Sequence, residues 1–188
     1  MRFIETKLAG AFIIELEPHH DERGFFARSF CRDEFAAHGL NQNIPQTNIA
    51  SNHVAGTVRG MHFQYPPAAE SKLVSCIRGA LLDVIVDLRP ESPTWLQHVA
   101  VRLDDDSLRA LYVPERFAHG YQTLADRTIA SYQMGAMFAG EAAGGLRHDD
   151  PALGLEWPMP VTVMSAKDRS YPSLAEFAGQ LQRGMAIG

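Results

Sequence analysis

The chain has 188 residues, 46% of them apolar, with 17 Lys and Arg against 22 Asp and Glu and a net charge of −5. That length and apolar share suffice for a buried core in one domain spanning 1–188, while the mild acidity excludes a general nucleic-acid binder and leaves room for a local anion site. Two cysteines without a Cys-x-x-Cys spacing exclude a disulfide framework and a structural zinc site, and they predict a reducing compartment.

The first residues, Met1 to Lys7, lack the apolar core of a signal peptide. The longest apolar run, Gly79 to Leu88, is cut by Asp83 and Asp87 and is too short to span a membrane. A cytoplasmic protein with no membrane partner is therefore expected. Ala11 to Pro18 reads as a strand, His19 to Gly24 as a polar turn and Phe25 to Phe30 as a second strand, together a hairpin. Arg32 to Leu40 reads as a two-turn helix, with Asp33 as its cap and Gly39 as its stop.

From Pro45 onward the texture is β. Short apolar runs cover Gln46 to Ser51, Thr57 to His62, Lys72 to Arg78, Ala80 to Leu88, His98 to Leu103, Leu108 to Val113, His119 to Leu124 and Thr128 to Met134. Turn formers separate them: Tyr65-Pro66-Pro67, Gly79, the Arg89 to Pro93 stretch, Asp104 to Ser107, Pro114 and Ala125 to Arg127. Many short strands at this spacing predict an all-β sandwich or closed barrel, and the lack of long alternating helices excludes a doubly wound fold. Near the end, Leu174, Phe177, Ala178 and Leu181 repeat at helical spacing behind Ser173, so a capped amphipathic helix is expected at about 173–182.

Chemistry concentrates first in Gly56-Thr57-Val58-Arg59-Gly60-Met61-His62-Phe63-Gln64. Arg59 and His62 are three apart, so a regular strand would point them to opposite faces. Gly60 between them supplies the freedom to bend. In Ala80 to Leu88, one face is uniformly apolar and the other carries Asp83 and Asp87; a half-exposed strand with its charges in water is the simpler reading, a polar barrel interior the functional one. His119 reads equally as a core histidine satisfied by a carboxylate, Tyr132 as an ordinary strand residue and Asp168 as a turn former. A metal set of His62, Glu70 and His119 is conceivable. However, Arg59 and Gly60 stand where a first ligand histidine would be needed, so no metal is expected.

Taken together, Asp21-Glu22-Arg23-Gly24-Phe25-Phe26, Gly56 to Gln64, Lys72-Leu73-Val74, Asp83 to Arg89, Phe117-Ala118-His119-Gly120, Asp149-Asp150-Pro151 with Glu156-Trp157-Pro158, and Ser165-Ala166-Lys167-Asp168 resemble the dTDP-4-dehydrorhamnose 3,5-epimerase family. The resemblance runs from about residue 12 to 172. It implies a cupin-type jelly-roll barrel with short peripheral helices, free of metal and cofactor and working as a homodimer. The implied substrate is a nucleotide-diphosphate 4-keto-6-deoxy sugar, inverted at C3 and C5. It further implies His62 as base oriented by Asp168, Tyr132 as acid and Lys72 at the C4 oxygen. Arg59 and Arg23 would bind the diphosphate, with Arg23 and Phe26 coming from the second subunit. Gln46, Asn48 and His119 would line the site, and Asp83 would support His119.

The chemistry is consistent with those roles. A proton alpha to a ketone needs a base of near-neutral pKa and a donor at the developing oxyanion, and inversion needs proton carriers on two faces. The chain differs from the family pattern at Arg28, where many members have an acidic residue that helps read the nucleotide. It differs also at Met137-Phe138, where a Tyr commonly ends the pair, at Arg116 in place of Gly, and at His148 in place of Trp. The base (dTDP, CDP, GDP or UDP) is left open, as is a single-centre epimerase or a non-catalytic sugar-nucleotide binder on the same scaffold. Gly140, Gly144 and Gly145 predict an unusually flexible loop from Ala139 to Leu146.

Overall fold

The computed structural model describes residues 1–187. Its strands are β1 (Arg2–Glu5), β2 (Phe12–Glu15), β3 (His19–Asp21), β4 (Gly24–Phe26), β5 (Gln46–Asn52), β6 (Val58–Gln64), β7 (Lys72–Arg78), β8 (Ala80–Asp87), β9 (His98–Asp104), β10 (Arg109–Val113), β11 (Phe117–Thr123), β12 (Thr128–Met134) and β13 (Ala143–Gly145). Three short helices are peripheral: α1 (Arg32–Ala37), α2 (Ala166–Arg169) and α3 (Leu174–Met185). The strands form a six-stranded sheet in the order β1-β2-β10-β7-β12-β5 and a five-stranded sheet in the order β13-β6-β11-β8-β9, while β3 and β4 make a separate hairpin. The fold is the mainly β jelly-roll barrel that the sequence implies.

Period-two alternation assigns the layers. Val74, Leu81, Ile85, Val101, Leu103, Leu111, Val113, Phe117, Tyr121 and Ala130 point inward from both sheets and fill one end of the barrel. The outer face of the five-stranded sheet, including Met61, Phe63, Val84, Val86 and Ala118, is covered by Leu174, Leu181 and Met185 of α3. The outer face of the six-stranded sheet packs on Phe35 of α1 with Ile14, Leu73 and Tyr112. The open end of the barrel is thus left to the polar residues of β5, β6, β7 and β12.

Four expectations are corrected. The hairpin's first arm is His19–Asp21, not Ala11 to Pro18, and its second ends at Phe26; β2 instead pairs with β1 and β10. Asp33 does not cap α1: the N-cap is Cys31, without a side-chain bond. Asp83 and Asp87 are wholly buried, not in water, because β8 is central, with β11 on one side and β9 on the other. Asp87 is held there by Arg89, Ser92 and Thr94, all within 3.0 Å, and although burial pushes its carboxyl up, these donors outweigh that and keep it below the usual value. Finally, the Ala139 to Leu146 segment is not a floppy loop. Its residues Ala143–Gly145 pair with β6, and the glycines let the chain lie flat, since a Cβ at Gly144 would meet the Phe63 ring at 2.4 Å and one at Gly145 the Tyr171 ring at 2.2 Å. The C-terminal helix has Ser173 at its N-cap as expected, with Glu176 accepting the Ser173 N–H at 2.8 Å, and runs three residues past Gln182.

The bend foreseen at Gly60 is a β-bulge. His62 pairs with His119 and Arg59 with Tyr121, so two residues of β6 oppose the single Gly120 of β11. Gly60 has φ +130° and lies against Gly120, where a Cβ on Gly60 would come 2.5 Å from the Gly120 Cα. Both neighbours are backbone and cannot move aside. Gly60→Ala should therefore cost about 2 kcal/mol or more of stability, read as a lowered midpoint in urea unfolding at unchanged slope.

Candidate active site

The extra residue in β6 decides the site. It turns Arg59 and His62, three apart in sequence, onto one face, the same face as His119 and Tyr121 across the ladder. That face opens into a cleft of about 880 Å³ between the sheets, a volume suited to a nucleotide-sized ligand.

His62 is placed on β6 with its Nε2 2.8 Å from Asp168 Oδ1. Asp168 sits in α2, whose N-cap Ser165 accepts the Asp168 backbone N–H, and its second oxygen accepts the N–H of Gly60 at 3.3 Å. The bulge glycine thus also anchors the carboxylate. Burial alone would raise the Asp168 carboxyl, but the His62 contact, Gly60 and Ser165 outweigh it and hold it below the usual value. A carboxylate only accepts, so Nε2 carries the hydrogen and Nδ1 of the neutral ring keeps its lone pair. The His62 side chain remains 42% exposed, reachable from the cleft, with the Tyr171 ring standing edge-on 6.1 Å away.

Lys72 begins β7 on the inward face. Its Nζ lies 3.1 Å from Glu70 Oε1 and 3.4 Å from the backbone carbonyl of His62. An ammonium has three donors, so one is left for a ligand oxygen beside the imidazole. Tyr132, on β12 of the opposite sheet, lines the cleft and lies 6.0 Å from the His119 ring. Burial first, then the neighbouring Tyr121 and Asp83, push its hydroxyl well above the usual phenol value. His119 is buried and bonded through Nε2 to Asp83 Oδ1 at 2.6 Å, as the resemblance implies.

Arg59 donates Nε to Asn52 Oδ1 at 2.8 Å and Nη2 to the Ser51 carbonyl at 3.5 Å. Among the described residues no carboxylate pairs with it, so the remaining guanidinium hydrogens are open to an anion. Gln46 and Asn48 of β5 line the same wall, Gln46 accepting the Phe138 N–H at 2.6 Å.

Eight of the expected residues therefore meet in one cleft: His62, Tyr132, Asp168, Lys72, Gln46, Asn48, Arg59 and His119. Arg23 and Phe26 do not. They sit on the β3–β4 hairpin outside the cleft, their side chains exposed, with Arg23 paired to its neighbour Asp21. The conceivable metal set is divided among other partners: His62 is on Asp168, His119 on Asp83 and Glu70 on Lys72, and no three His, Cys, Asp or Glu side chains cluster as ligands among the described residues.

Of the departing positions, Phe138 rims the cleft, while Arg28 pairs with Glu34 outside it. Arg116 takes up the left-handed φ of 61° that a glycine would adopt freely, held by Glu91 and the Met185 carbonyl. The His148 carbonyl accepts the Trp157 indole N–H, and burial pushes its imidazole down. Asn52, Gln64, Tyr121 and Tyr171 also line or back the cleft and were not singled out from sequence. The signal for Tyr121 was its place two residues after His119 on one strand.

A family model described as dTDP-4-dehydrorhamnose 3,5-epimerase matches residues 5–176. The dTDP-4-dehydrorhamnose 3,5-epimerase of Methanothermobacter thermautotrophicus is 41% identical over 178 residues, covering 93% of this chain and 95% of the relative. The crystal structure of the Bacillus anthracis enzyme of that name, with TDP and PPi bound, superposes with a TM-score of 0.89 at 38% identity over 92% of this chain and 99% of that one. A 3'-monoepimerase from Streptomyces bikiniensis in complex with dTDP-quinovose gives a TM-score of 0.88 at 29% identity over 95% of this chain and 91% of that one. With the match running through both sheets and every element that builds the cleft, the chain belongs to the dTDP-4-dehydrorhamnose 3,5-epimerase family.

Proposed function

We propose that the protein epimerises a nucleotide-diphosphate 4-keto-6-deoxyhexose at C3 and C5, on a substrate of the dTDP-4-dehydro-6-deoxyglucose type. The observation that carries this reading is the pairing of a carboxylate-held imidazole with a lysine whose free donor lies beside it, facing a half-buried tyrosine on the opposite sheet. His62 Nδ1 takes the proton alpha to the C4 ketone. The C–H electrons move into the ring and onto the C4 oxygen, where the free Lys72 N–H meets the growing negative charge. Tyr132 then delivers its proton to the opposite face of the same carbon, and the electrons return from the oxygen to form the inverted C–H bond. Solvent resets His62 and Tyr132. Arg59 holds the diphosphate, with Gln46, Asn48 and His119 fixing sugar and base.

Arg23 and Phe26 complete the site from a second copy. Their exposure away from their own cleft supports a homodimer in which each hairpin reaches its neighbour. The two free cysteines and a nucleotide-sugar substrate support a cytoplasmic setting; among the described residues no helix is long and apolar enough to cross a membrane. A 3-only epimerase is a second reading, favoured by the likeness to the 3'-monoepimerase.

Turnover of dTDP-4-dehydro-6-deoxyglucose in D₂O should place deuterium at C3 and C5. Label at C3 alone selects the single-centre reading. Label at neither, with the CDP, GDP and UDP sugars also tried, overturns both and leaves a binding module. His62→Ala should lower kcat about 100-fold or more, and near-normal turnover would reassign the base. Because the Tyr132 hydroxyl is held above its ordinary value of 10.0, it stays protonated through neutral pH. The rate should therefore show no alkaline fall from this group below pH 10, whereas Tyr132→Phe should abolish inversion throughout. Mixing inactive Arg23→Ala and His62→Ala proteins should restore one working site per mixed dimer, and no regain of activity would sink the shared-site arrangement.

A further inference from the structure

Across the cleft from Tyr132, on β11 of the other sheet, Tyr121 belongs to a polar chain with Asn52 of which the mechanism above uses only Arg59. Tyr121 and Asn52 are buried among apolar neighbours, 1% and 2% exposed. The amide of Asn52 is fixed in orientation, since its Nδ2 donates to the carbonyls of Ala50 at 3.3 Å and Thr128 at 3.2 Å. Its Oδ1 therefore faces the barrel and accepts two donors at once, Arg59 Nε at 2.8 Å and the Tyr121 hydroxyl at 3.2 Å. The Tyr121 and Tyr132 rings stand 6.2 Å apart at 39° across the cleft, and in the orientation parked on Asn52 the Tyr121 hydroxyl favours the protonated Tyr132, adding to the rise of its phenol.

A phenol has one hydrogen to give and two lone pairs. With that hydrogen on Asn52, Tyr121 offers Tyr132 only a lone pair, which suits a neutral Tyr132. Once Tyr132 has delivered its proton, a phenolate stands on the cleft wall, and the Tyr121 ring is the neighbouring phenol, 6.2 Å away between centroids. The other groups around Tyr132 are His119 on β11, Asp83 on β8, Arg59 on β6 and Lys72 on β7. Of these, Asp83 opposes a negative charge on Tyr132 and the Arg59 cation favours it. Swinging the Tyr121 hydrogen from Asn52 Oδ1 to the Tyr132 oxygen breaks one hydrogen bond and forms a charge-assisted one. Asn52 Oδ1 keeps the Arg59 donor throughout, so no buried acceptor is orphaned by the swing.

We infer that Tyr121 is a positioning residue for the acid: its hydroxyl, parked on Asn52 Oδ1, turns to stabilise Tyr132 as it gives up its proton, and the shared Asn52 acceptor links that turn to the anion-binding Arg59. The inference rests on the epimerase reading, with Tyr132 as acid. It assigns a role to the second tyrosine of the barrel and separates the two half-reactions. Proton removal by His62 is independent of Tyr121, whereas proton delivery by Tyr132 depends on it.

The test is Tyr121→Phe, which keeps the ring volume and leaves Asn52 bonded to Arg59, assayed in D₂O by two readouts on one sample. These are solvent exchange at the alpha carbon with retained configuration, and inversion. Inversion should fall roughly 10- to 100-fold while exchange stays within about threefold, so the ratio of exchange to inversion rises, with KM and the thermal shift by dTDP little changed. Equal losses in both readouts would show a merely structural role and overturn the inference, as would an unchanged ratio. Wild-type protein that exchanges at neither carbon overturns the epimerase reading together with this one; wild type that inverts beside a variant that inverts equally well overturns the inference alone.

Discussion

The site depends on a close approach between two glycines. Gly60 and Gly120 lie backbone to backbone in adjacent strands, and no side chain fits on Gly60. That contact permits the bulge, and the bulge does three things. It places Arg59 and His62 on one face. It aims the Gly60 N–H at Asp168, whose other oxygen holds the imidazole. It also leaves Met61 and Phe63 pointing outward, where they anchor the cover of α3. The placement of Arg59, His62 and Asp168 and the outer core all follow from one extra residue.

Burial of charge is the second constraint. Asp83, Asp87, Lys72, Glu70 and Asp168 are all nearly or wholly buried, and an ion left alone there would cost several kcal/mol. Each is paired: Asp83 with His119, Asp87 with Arg89, Lys72 with Glu70, and Asp168 with His62. The pairs differ in what they leave over. Asp87 is saturated by donors from its own loop, and Arg89 also lies over the Phe117 ring at 4.7 Å, so that knot is structural. His62 and Lys72 are each held on one side and free on the other. Arg59, which pairs with no carboxylate among the described residues, keeps guanidinium hydrogens unspent. Structural and chemical roles are thus divided by how many hydrogen-bonding groups remain unspent.

The polar groups are also sorted by sheet. His62 comes from the five-stranded sheet, and Lys72 and Tyr132 from the six-stranded one. A ring lying between the sheets is therefore approached from two sides. The two sheets are held face to face by the apolar cluster filling the far end of the barrel.

Much of this was legible in the chain. Alternation and turn residues located nearly every strand from Gln46 onward, since a strand with one buried face must write that face into every second residue. The Ser173 cap and its helical stripe were equally local. The run of family motifs pointed to the chemistry, because a proton-transfer site needs its His, Asp, Tyr and Lys whatever surrounds them. What the chain could not show was set by pairing at a distance. Arg2–Glu5 is a strand only because β2 lies beside it, and the Gly144-Gly145 pair reads as a hinge until Phe63 and Tyr171 are seen against it. The charges of β8 read as solvated until β9 and β11 enclose them. Asn52 and Tyr121, 69 residues apart, carry no local sign that one amide oxygen joins them to Arg59. Periodicity encodes which face is buried; only the register of strands far apart in sequence decides which polar groups share that face.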